Sequence, residues 1–198
     1  IIIYIVGICG IAFTNSNQQL LFLQLTPLNL IVTIGFTLLF HPSWSKKFIL
    51  SGLMVLLFGF FVEVIGVKTG WIFGNYWYGT TLGFQLTEVP VLIGVNWFLL
   101  VYIISAVFNK TKNIFLFAGI AAAVMTLLDV FIEPVAIKLD FWQWQNNVIP
   151  FQNYVAWYLI SFLLFLFFRR VNGAIQNRIA IIVLAIQFLF FAILNLLL

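Results

Sequence analysis

The chain has 198 residues, of which 64% are hydrophobic and 7% charged, and its formal net charge is +4. Soluble domains carry roughly 25% charged residues, so this composition excludes a water-soluble globular protein and predicts an integral membrane protein. The positive charge does not indicate nucleic acid binding, because the basic residues lie in short segments between apolar runs, where they act as topology determinants.

Apolar runs of about 20 residues, the length that a helix needs to cross the hydrocarbon core, predict about seven transmembrane helices. The first run is shorter, so we expect native residues before Ile1, and it lacks the basic segment and cleavage site of a signal peptide. The second run contains Thr26-Pro27, a pair at which a helix kinks or begins anew. The predicted helices are 1–13, 20–40, 48–67, 89–108, 114–132, 151–168 and 179–198.

Two acidic residues close the fifth predicted helix, in the stretch Asp129-Val-Phe-Ile-Glu133-Pro134. A spacing of four residues stacks both carboxylates on one face of a helix. We expect Pro134 to stop the helix, because proline has no N–H to donate and its ring clashes with the preceding turn. Acids at the rim of a membrane helix are costly to keep there, which makes them a functional-site hypothesis. A third acid, Glu63, falls in the last turn of the third predicted helix.

Two segments rich in aromatic residues, 68–88 and 135–150, are too polar to span a membrane and are predicted to be loops. Gly66, Gly70 and Gly74 have the Gly-x-x-x-Gly spacing that lets helices approach closely. Outside a clean apolar run, turn formation explains these glycines equally well.

The basic residues predict how the helices are oriented. Seven of the nine lie in the segments after predicted helices two, four and six, so these segments and the N-terminus are predicted to be cytoplasmic. All five acidic residues then lie at outer helix ends or in the two aromatic-rich outer loops, as expected for a polar site near the outer face. The sequence thus predicts an all-α polytopic membrane helix bundle with one transmembrane domain, residues 1–198.

Glu63, Asp129 and Glu133 together could perform acid–base chemistry. A low-dielectric pocket favours the neutral form of a carboxyl, and adjacent carboxyls resist double ionisation, so one can act as acid and another as base. Aromatic faces stabilise positive charge while excluding water. Asn96 and Asn153 could orient a carboxylate or a water, or could simply join helices by hydrogen bonds. The remaining alternatives are that outer helix ends tolerate acids and that the aromatic residues form an interfacial belt.

Five short patterns follow one another in the middle half of the chain. They are Glu63-x-x-Gly66-x-x-x-Gly70-x-x-x-Gly74-x-Tyr76-x-Tyr78, Leu82-Gly83 with Pro90 and Trp97, Asp129-x-x-x-Glu133-Pro134, Trp142-x-Trp144, and Pro150-x-x-Asn153-x-x-x-Trp157. Together these patterns make the chain resemble the membrane carotenoid biosynthesis protein family, which the flanking helices match only in hydropathy.

The resemblance implies a carotenoid hydratase, a hydro-lyase that adds water across the C1'=C2' double bond of an acyclic carotenoid end group. It implies a lipid-soluble substrate such as gamma-carotene or lycopene, a bacterial or archaeal cell membrane, and no cofactor, metal or oxygen. Protonating the alkene creates a tertiary cation that water captures, which calls for a desolvated acid and a charge-stabilising wall. We predict Asp129 or Glu133 as proton donor, with the other or Glu63 activating water. The predicted substrate-binding residues are Trp71, Tyr76, Tyr78, Asn96, Trp97, Trp142, Trp144, Asn153 and Trp157.

Other function classes fit the sequence less well. A carotenoid cyclase or isomerase would share the protonation step, and only the product distinguishes it from a hydratase. A transporter is disfavoured because the innermost parts of the predicted helices carry no ionisable residue for a relay. A retinal protein is disfavoured because predicted helices six and seven contain no lysine for a Schiff base. The expected partners are a carotenoid and membrane lipid, and no oligomeric state is predicted.

Overall fold

The computed structural model describes residues 1–198 and is predominantly helical. Four very short strands and a single 3-10 turn, Gln145–Asn147, lie in the segments between helices. The strands are β1 (Tyr76–Tyr78), β2 (Gln85–Leu86), β3 (Val89–Pro90) and β4 (Trp142–Trp144). The helices are α1 (Ile2–Ala12), α2 (Ser16–Gln24), α3 (Thr26–Leu39), α4 (Lys46–Thr69), α5 (Leu92–Val107), α6 (Ile114–Lys138), α7 (Phe151–Asn172) and α8 (Ala180–Leu197).

Five helical segments are long and apolar enough to cross a membrane: α2 and α3 taken together, α4, α6, α7 and α8. The shorter apolar helices α1 and α5 correspond to the first and fourth predicted spans. The chain is therefore an all-α membrane protein, while the number of seven crossings stays a prediction.

The second apolar run consists of two helices, because the helix is interrupted at Leu25 and α3 begins with the expected Thr26-Pro27 pair. The polar residues 14–19, between the first and second predicted helices, were expected to form a loop, but α2 already begins at Ser16. The Asn15 side chain caps this helix by accepting a hydrogen bond of 3.0 Å from the backbone N–H of Gln18.

The prediction that Pro134 stops the fifth apolar helix is wrong, because α6 continues through Pro134 to Lys138. A proline removes only one backbone hydrogen bond, and in a membrane every other backbone group still needs an internal partner. The helical bonding accordingly persists beyond it, with the Leu139 N–H donating to the Val135 carbonyl at 2.9 Å. Glu133 therefore lies more than one turn inside the helix rather than at its end.

Helix α5 lies at the centre of the bundle. Every residue from Trp97 to Ala106 is buried, because α3, α4, α6, α7 and α8 all pack around this helix. A helix buried on all sides is expected to be apolar all round, which explains why its sequence shows little amphipathic pattern. The most extensively packed helix pairs are α6 with α7 and α4 with α5.

The two aromatic-rich segments predicted as loops are joined by a small antiparallel sheet. In this sheet β1 pairs with β4, and β2 pairs with β3 in a separate two-stranded ribbon. Gly70 ends α4 in the left-handed conformation with φ 67°, and Gly74 has φ 108°, so these two glycines form turns. A Cβ at Gly66 would meet the Phe73 ring at 2.6 Å, and this ring belongs to the turn after α4 and not to a neighbouring helix.

Candidate active site

The first of the three acids, Glu63, is buried near the C-terminal end of α4 and accepts three side-chain hydrogen bonds. Its Oε2 accepts from the hydroxyls of Tyr76 at 2.5 Å and Tyr78 at 2.9 Å. Its Oε1 accepts from the indole N–H of Trp97 in α5 at 3.1 Å. The carboxyl is thus held between a helix and the β1 strand.

Glu133 in α6 is also buried and also accepts three side-chain hydrogen bonds. The indole N–H groups of Trp142 and Trp144 in β4 both donate to its Oε2, at 2.9 and 2.8 Å. Asn153 in α7 donates to its Oε1 at 3.1 Å. Each of these two glutamates therefore has its orientation set by partners from at least two elements.

Asp129 lies one helical turn before Glu133 and is hydrogen-bonded quite differently. Its Oδ2 accepts from Asn153 Nδ2 at 3.1 Å, and no other side chain donates to it. The same Nδ2 atom donates to Glu133 Oε1, so Asn153 links the two carboxyls. The predicted stacking of the two acids on one helix face is present, and α7 supplies the group that connects them.

The β1–β4 sheet delivers the aromatic donors to the acids. Tyr76 pairs with Trp144 and Tyr78 with Trp142, and alternate residues of a strand share a face, so all four side chains are on the same face of the sheet. Burial, followed by the nearby Glu63 carboxyl, raises the pKa of Tyr76 and that of Tyr78 well above the usual value for tyrosine. Both phenols therefore stay protonated and act as hydrogen-bond donors at neutral pH.

A cavity of about 400 Å³ opens in front of these acids, and most of the residues that line it are hydrophobic. The Trp97 and Trp157 rings stack at its wall with centroids 4.3 Å apart and planes 8° apart. All but one of the predicted site residues line this cavity. Those that do are Glu63, Tyr76, Tyr78, Asn96, Trp97, Asp129, Glu133, Trp142, Trp144, Asn153 and Trp157.

The exception is Trp71, and its predicted place in the pocket wall is wrong. The Trp71 side chain is 83% exposed and does not line the cavity. It follows the left-handed turn at Gly70, which leads the chain out of α4, and its backbone carbonyl accepts a hydrogen bond from the Gln152 side chain. An aromatic residue exposed at a helix end fits the interfacial belt that was the alternative interpretation.

The remaining two acids also lie outside the cavity. Glu88 forms an exposed ion pair of 2.7 Å with Lys68, and Asp140 is exposed and accepts a hydrogen bond of 3.2 Å from Gln143. Only three of the five acids thus belong to one polar site. No group of three or more His, Cys, Asp or Glu side chains is arranged to hold a metal ion.

The sequence interpretation missed a second set of polar residues in the same cavity. Tyr4, Asn29 and Gln187 line it from α1, α3 and α8. Isolated amide side chains in the middle of apolar runs were the available signal, because such groups are costly in a membrane unless they serve a contact or a function.

The chain is similar in sequence to known proteins of carotenoid biosynthesis. The model of the family described as carotenoid biosynthesis protein matches residues 25–198. A protein named bisanhydrobacterioruberin hydratase from Haloarcula japonica is 31% identical over a match of 142 residues, and the match covers 63% of this chain and 46% of that protein. The chain thus spans about half the length of this curated relative. No solved structure matches the chain.

Proposed function

The chain belongs to the carotenoid biosynthesis protein family, and from this premise we propose that it is a carotenoid hydratase. The proposed reaction adds water across the C1'=C2' double bond at an acyclic end of a polyene and leaves a tertiary alcohol. The relative from Haloarcula japonica is named a hydratase, which supports this reaction class. The proposed substrates are gamma-carotene, lycopene or a related carotenoid taken from the membrane.

The observation that carries the proposal is that three buried carboxyls face one largely apolar cavity. Hydration of an isolated alkene transfers a proton to the less substituted carbon and leaves a tertiary cation, which a water molecule captures. The captured water then loses a proton to a second carboxylate, and return of this proton to the first carboxyl restores the acid, so the net reaction consumes one alkene and one water. An acid in a dry pocket beside an ionised partner supplies both proton steps.

The hydrogen-bond pattern supports separate roles for the three acids. Hydrogen bonds donated to a carboxylate favour its ionised form, and Glu63 and Glu133 each accept three of them. Asp129 accepts only one. We therefore assign Asp129 as the proton donor, Glu133 as the base that receives the proton from water, and Glu63 as a fixed negative charge that stabilises the cation.

Aromatic rings around the acids are suited to a cationic intermediate. The Trp97–Trp157 stack and the Tyr76–Trp144 pair, with centroids 5.0 Å apart, line the cavity beside the carboxyls. A cation over an aromatic face gains roughly 0.5–2 kcal/mol, and more where water is excluded. The same rings exclude bulk water, so that a single admitted water captures the cation.

The cavity provides a route for a membrane-dissolved substrate. Val6 of α1 and Leu28 and Val32 of α3 line the cavity and are also exposed on the outside of the bundle. We propose that the polyene enters sideways between α1 and α3, since an apolar opening toward lipid requires no transfer of the substrate through water.

The proposal is tested by expressing the chain in hosts that accumulate lycopene or gamma-carotene and by determining pigment masses. We expect a product heavier by one water, and we expect Asp129→Asn and Glu133→Gln each to abolish it, because each removes a proton-transfer group. Asp140→Asn and Glu88→Gln are matched controls, since these acids are exposed and outside the cavity.

Membrane insertion and yield of all four variants are compared by detergent extraction and gel filtration. A product of unchanged mass would identify a cyclase or isomerase instead of a hydratase. Full turnover by both cavity variants would contradict the assigned roles.

A further inference from the structure

Asn96 is a polar residue of the cavity to which the hydration mechanism assigns no role. It lies on the central helix α5 and lines the cavity together with Leu92, Ile93, Trp97 and Leu100. These positions recur every three or four residues, so they form one face of the helix. On a face that is otherwise apolar and aromatic, a single amide is costly to keep unless it has a hydrogen-bond partner.

The protein itself supplies no partner for this amide. The Asn96 side chain forms no hydrogen bond within the protein, in contrast to Asn153, which donates to both Asp129 and Glu133. Asn96 is only partly buried, and neither of its polar atoms is among those that are buried without a partner. Because other helices surround α5, the exposed part of this side chain faces the cavity. Its oxygen and its NH₂ group are therefore accessible to a ligand there.

Joining helices is the ordinary role of an asparagine in a membrane helix, but it does not account for Asn96. An amide joins helices by hydrogen-bonding to a group on a neighbouring helix. Asn195 is an example of this role, since its Nδ2 on α8 donates to the Phe131 carbonyl on α6 at 2.7 Å. Asn96 has no such contact, so the partner that its amide lacks is a molecule in the cavity.

The neighbours of Asn96 place it in the part of the cavity that contains the acids. The next residue, Trp97, donates its indole N–H to Glu63 Oε1 at 3.1 Å and stacks on Trp157 of α7. Trp157 follows Asn153, the residue that links the other two carboxyls, by four residues and thus by one helical turn. The cavity-facing sides of α5 and α7 therefore meet beside the carboxyls, away from the apolar opening at α1 and α3.

We propose that Asn96 binds the water molecule that captures the cation, and that it is a catalytic residue of the hydration. This inference rests on the proposed function. An amide oxygen accepts an O–H group, and a carboxylate accepts another. A water that donates one O–H to Asn96 Oδ1 and the other to Glu133 keeps a lone pair for the cationic carbon. The C–O bond forms from this lone pair, and the proton of the second O–H passes to Glu133.

A cation with no water held beside it has another fate. It returns a proton from carbon to the Asp129 carboxylate and becomes an alkene again. In D₂O this reversal replaces hydrogen by deuterium in the recovered substrate, whereas capture of the cation gives the alcohol. The ratio of deuterium exchange to hydration therefore reports how well the water is held, and it does not depend on the amount of folded protein.

The test incubates the full chain in lipid nanodiscs with lycopene in D₂O and determines the masses of the alcohol and of the recovered lycopene. We expect Asn96→Leu to slow hydration by about 10- to 100-fold while exchange into lycopene persists, because only the capture step loses a hydrogen bond to a group that becomes charged. Asn96→Ser keeps a hydroxyl that binds water, so its ratio of exchange to hydration should lie between those of the wild type and Asn96→Leu. Asn17→Leu is the matched control, since Asn17 is exposed and outside the cavity, and it should change neither rate.

The two rates separate this inference from the proposed function. Asp129→Asn should abolish exchange and hydration together, because it removes the proton donor. If Asn96→Leu also lowered both rates in parallel, or hydrated at the wild-type rate, the water-binding role of Asn96 would be overturned while the hydratase assignment stood. A wild-type chain that forms no alcohol would overturn the proposed function, and the role of Asn96 with it.

Discussion

The amide of Asn153 is shared between two carboxyls that the proposed mechanism uses in opposite protonation states. One nitrogen donates to Asp129 Oδ2 and to Glu133 Oε1, both at 3.1 Å. Asn153 is the only side chain that donates to Asp129, whereas Glu133 has two further indole donors. Asn153 thus acts as a positioning residue that determines how the two acids face the cavity.

At the residue scale, Asn153→Leu should therefore impair turnover far more than binding. A hydrogen bond to a charged group contributes about 1.5–3 kcal/mol, so we expect kcat to fall roughly 10- to 100-fold with little change in KM. Initial hydration rates over a substrate range measure both constants. Asn172→Leu serves as control, because Asn172 lies at the other end of α7 and donates to Ser51 Oγ at 2.8 Å. An equal loss in both variants would mean that Asn153 stabilises the bundle and does not position the acids.

Among the elements, the β1–β4 sheet contributes the most hydrogen-bond donors to the acids, although each of its two strands is only three residues long. It joins two segments more than 60 residues apart and directs four aromatic donors at Glu63 and Glu133. Gly79 follows β1 and donates its N–H to the Phe141 carbonyl at 3.0 Å. A Cβ at Gly79 would lie 2.1 Å from the Asp140 carbonyl oxygen, which belongs to the backbone and cannot rotate away.

Gly79→Ala should consequently displace the end of β1 and lower both stability and activity. Overpacking of this kind costs about 1–3 kcal/mol, and Tyr78 would move away from Glu63. Thermal unfolding in detergent and hydration rates measure the two effects. Gly35→Ala is the control, since a Cβ there meets nothing within 4 Å and alanine in a helix is favoured over glycine by about 0.5–1 kcal/mol. Wild-type Tm and rate in Gly79→Ala would show that the sheet tolerates this displacement.

The whole bundle determines how a polyene reaches the acids. Helix α5 fills the centre, and the cavity lies to one side of it, with exposed lining residues on α1 and α3. Both helices are apolar on the outside, which suits contact with lipid. The orientation of the bundle in the membrane stays a prediction from its basic residues.

At this scale we expect Leu28→Trp to slow the hydration of a long polyene by narrowing the opening. Leu28 is 55% exposed and lines the cavity, whereas Ile31 is 52% exposed on the same helix and does not. Ile31→Trp should therefore leave the rate near that of the wild type, because it only adds surface facing lipid. Initial rates in nanodiscs, normalised to folded protein, compare the two variants. Equal rates in both would place the entrance elsewhere.

Several features of the fold and of the site could be predicted because they depend on local patterns. The acids Asp129 and Glu133 share a helix face, as their four-residue spacing predicts. A new helix begins at Thr26-Pro27, as expected. The alternation in Tyr76-x-Tyr78 and Trp142-x-Trp144 was also a strand signal, but segments this short and this aromatic fit a loop equally well. The continuation of α6 beyond Pro134 was not predictable from the local pattern. It depends on the surroundings of the helix, since in a membrane the following backbone groups need hydrogen-bond partners within the protein.

By itself the sequence determined the class of protein, because a chain that is 64% hydrophobic needs lipid around it whatever its topology. It also determined which few polar groups exist to do chemistry. Only the tertiary structure decided that Trp142 contacts Glu133 while Trp71 lies outside, and that Gln187 shares a cavity with the acids. Contacts between residues far apart in the chain depend on how helices pack, and packing depends on the shapes of all the side chains together.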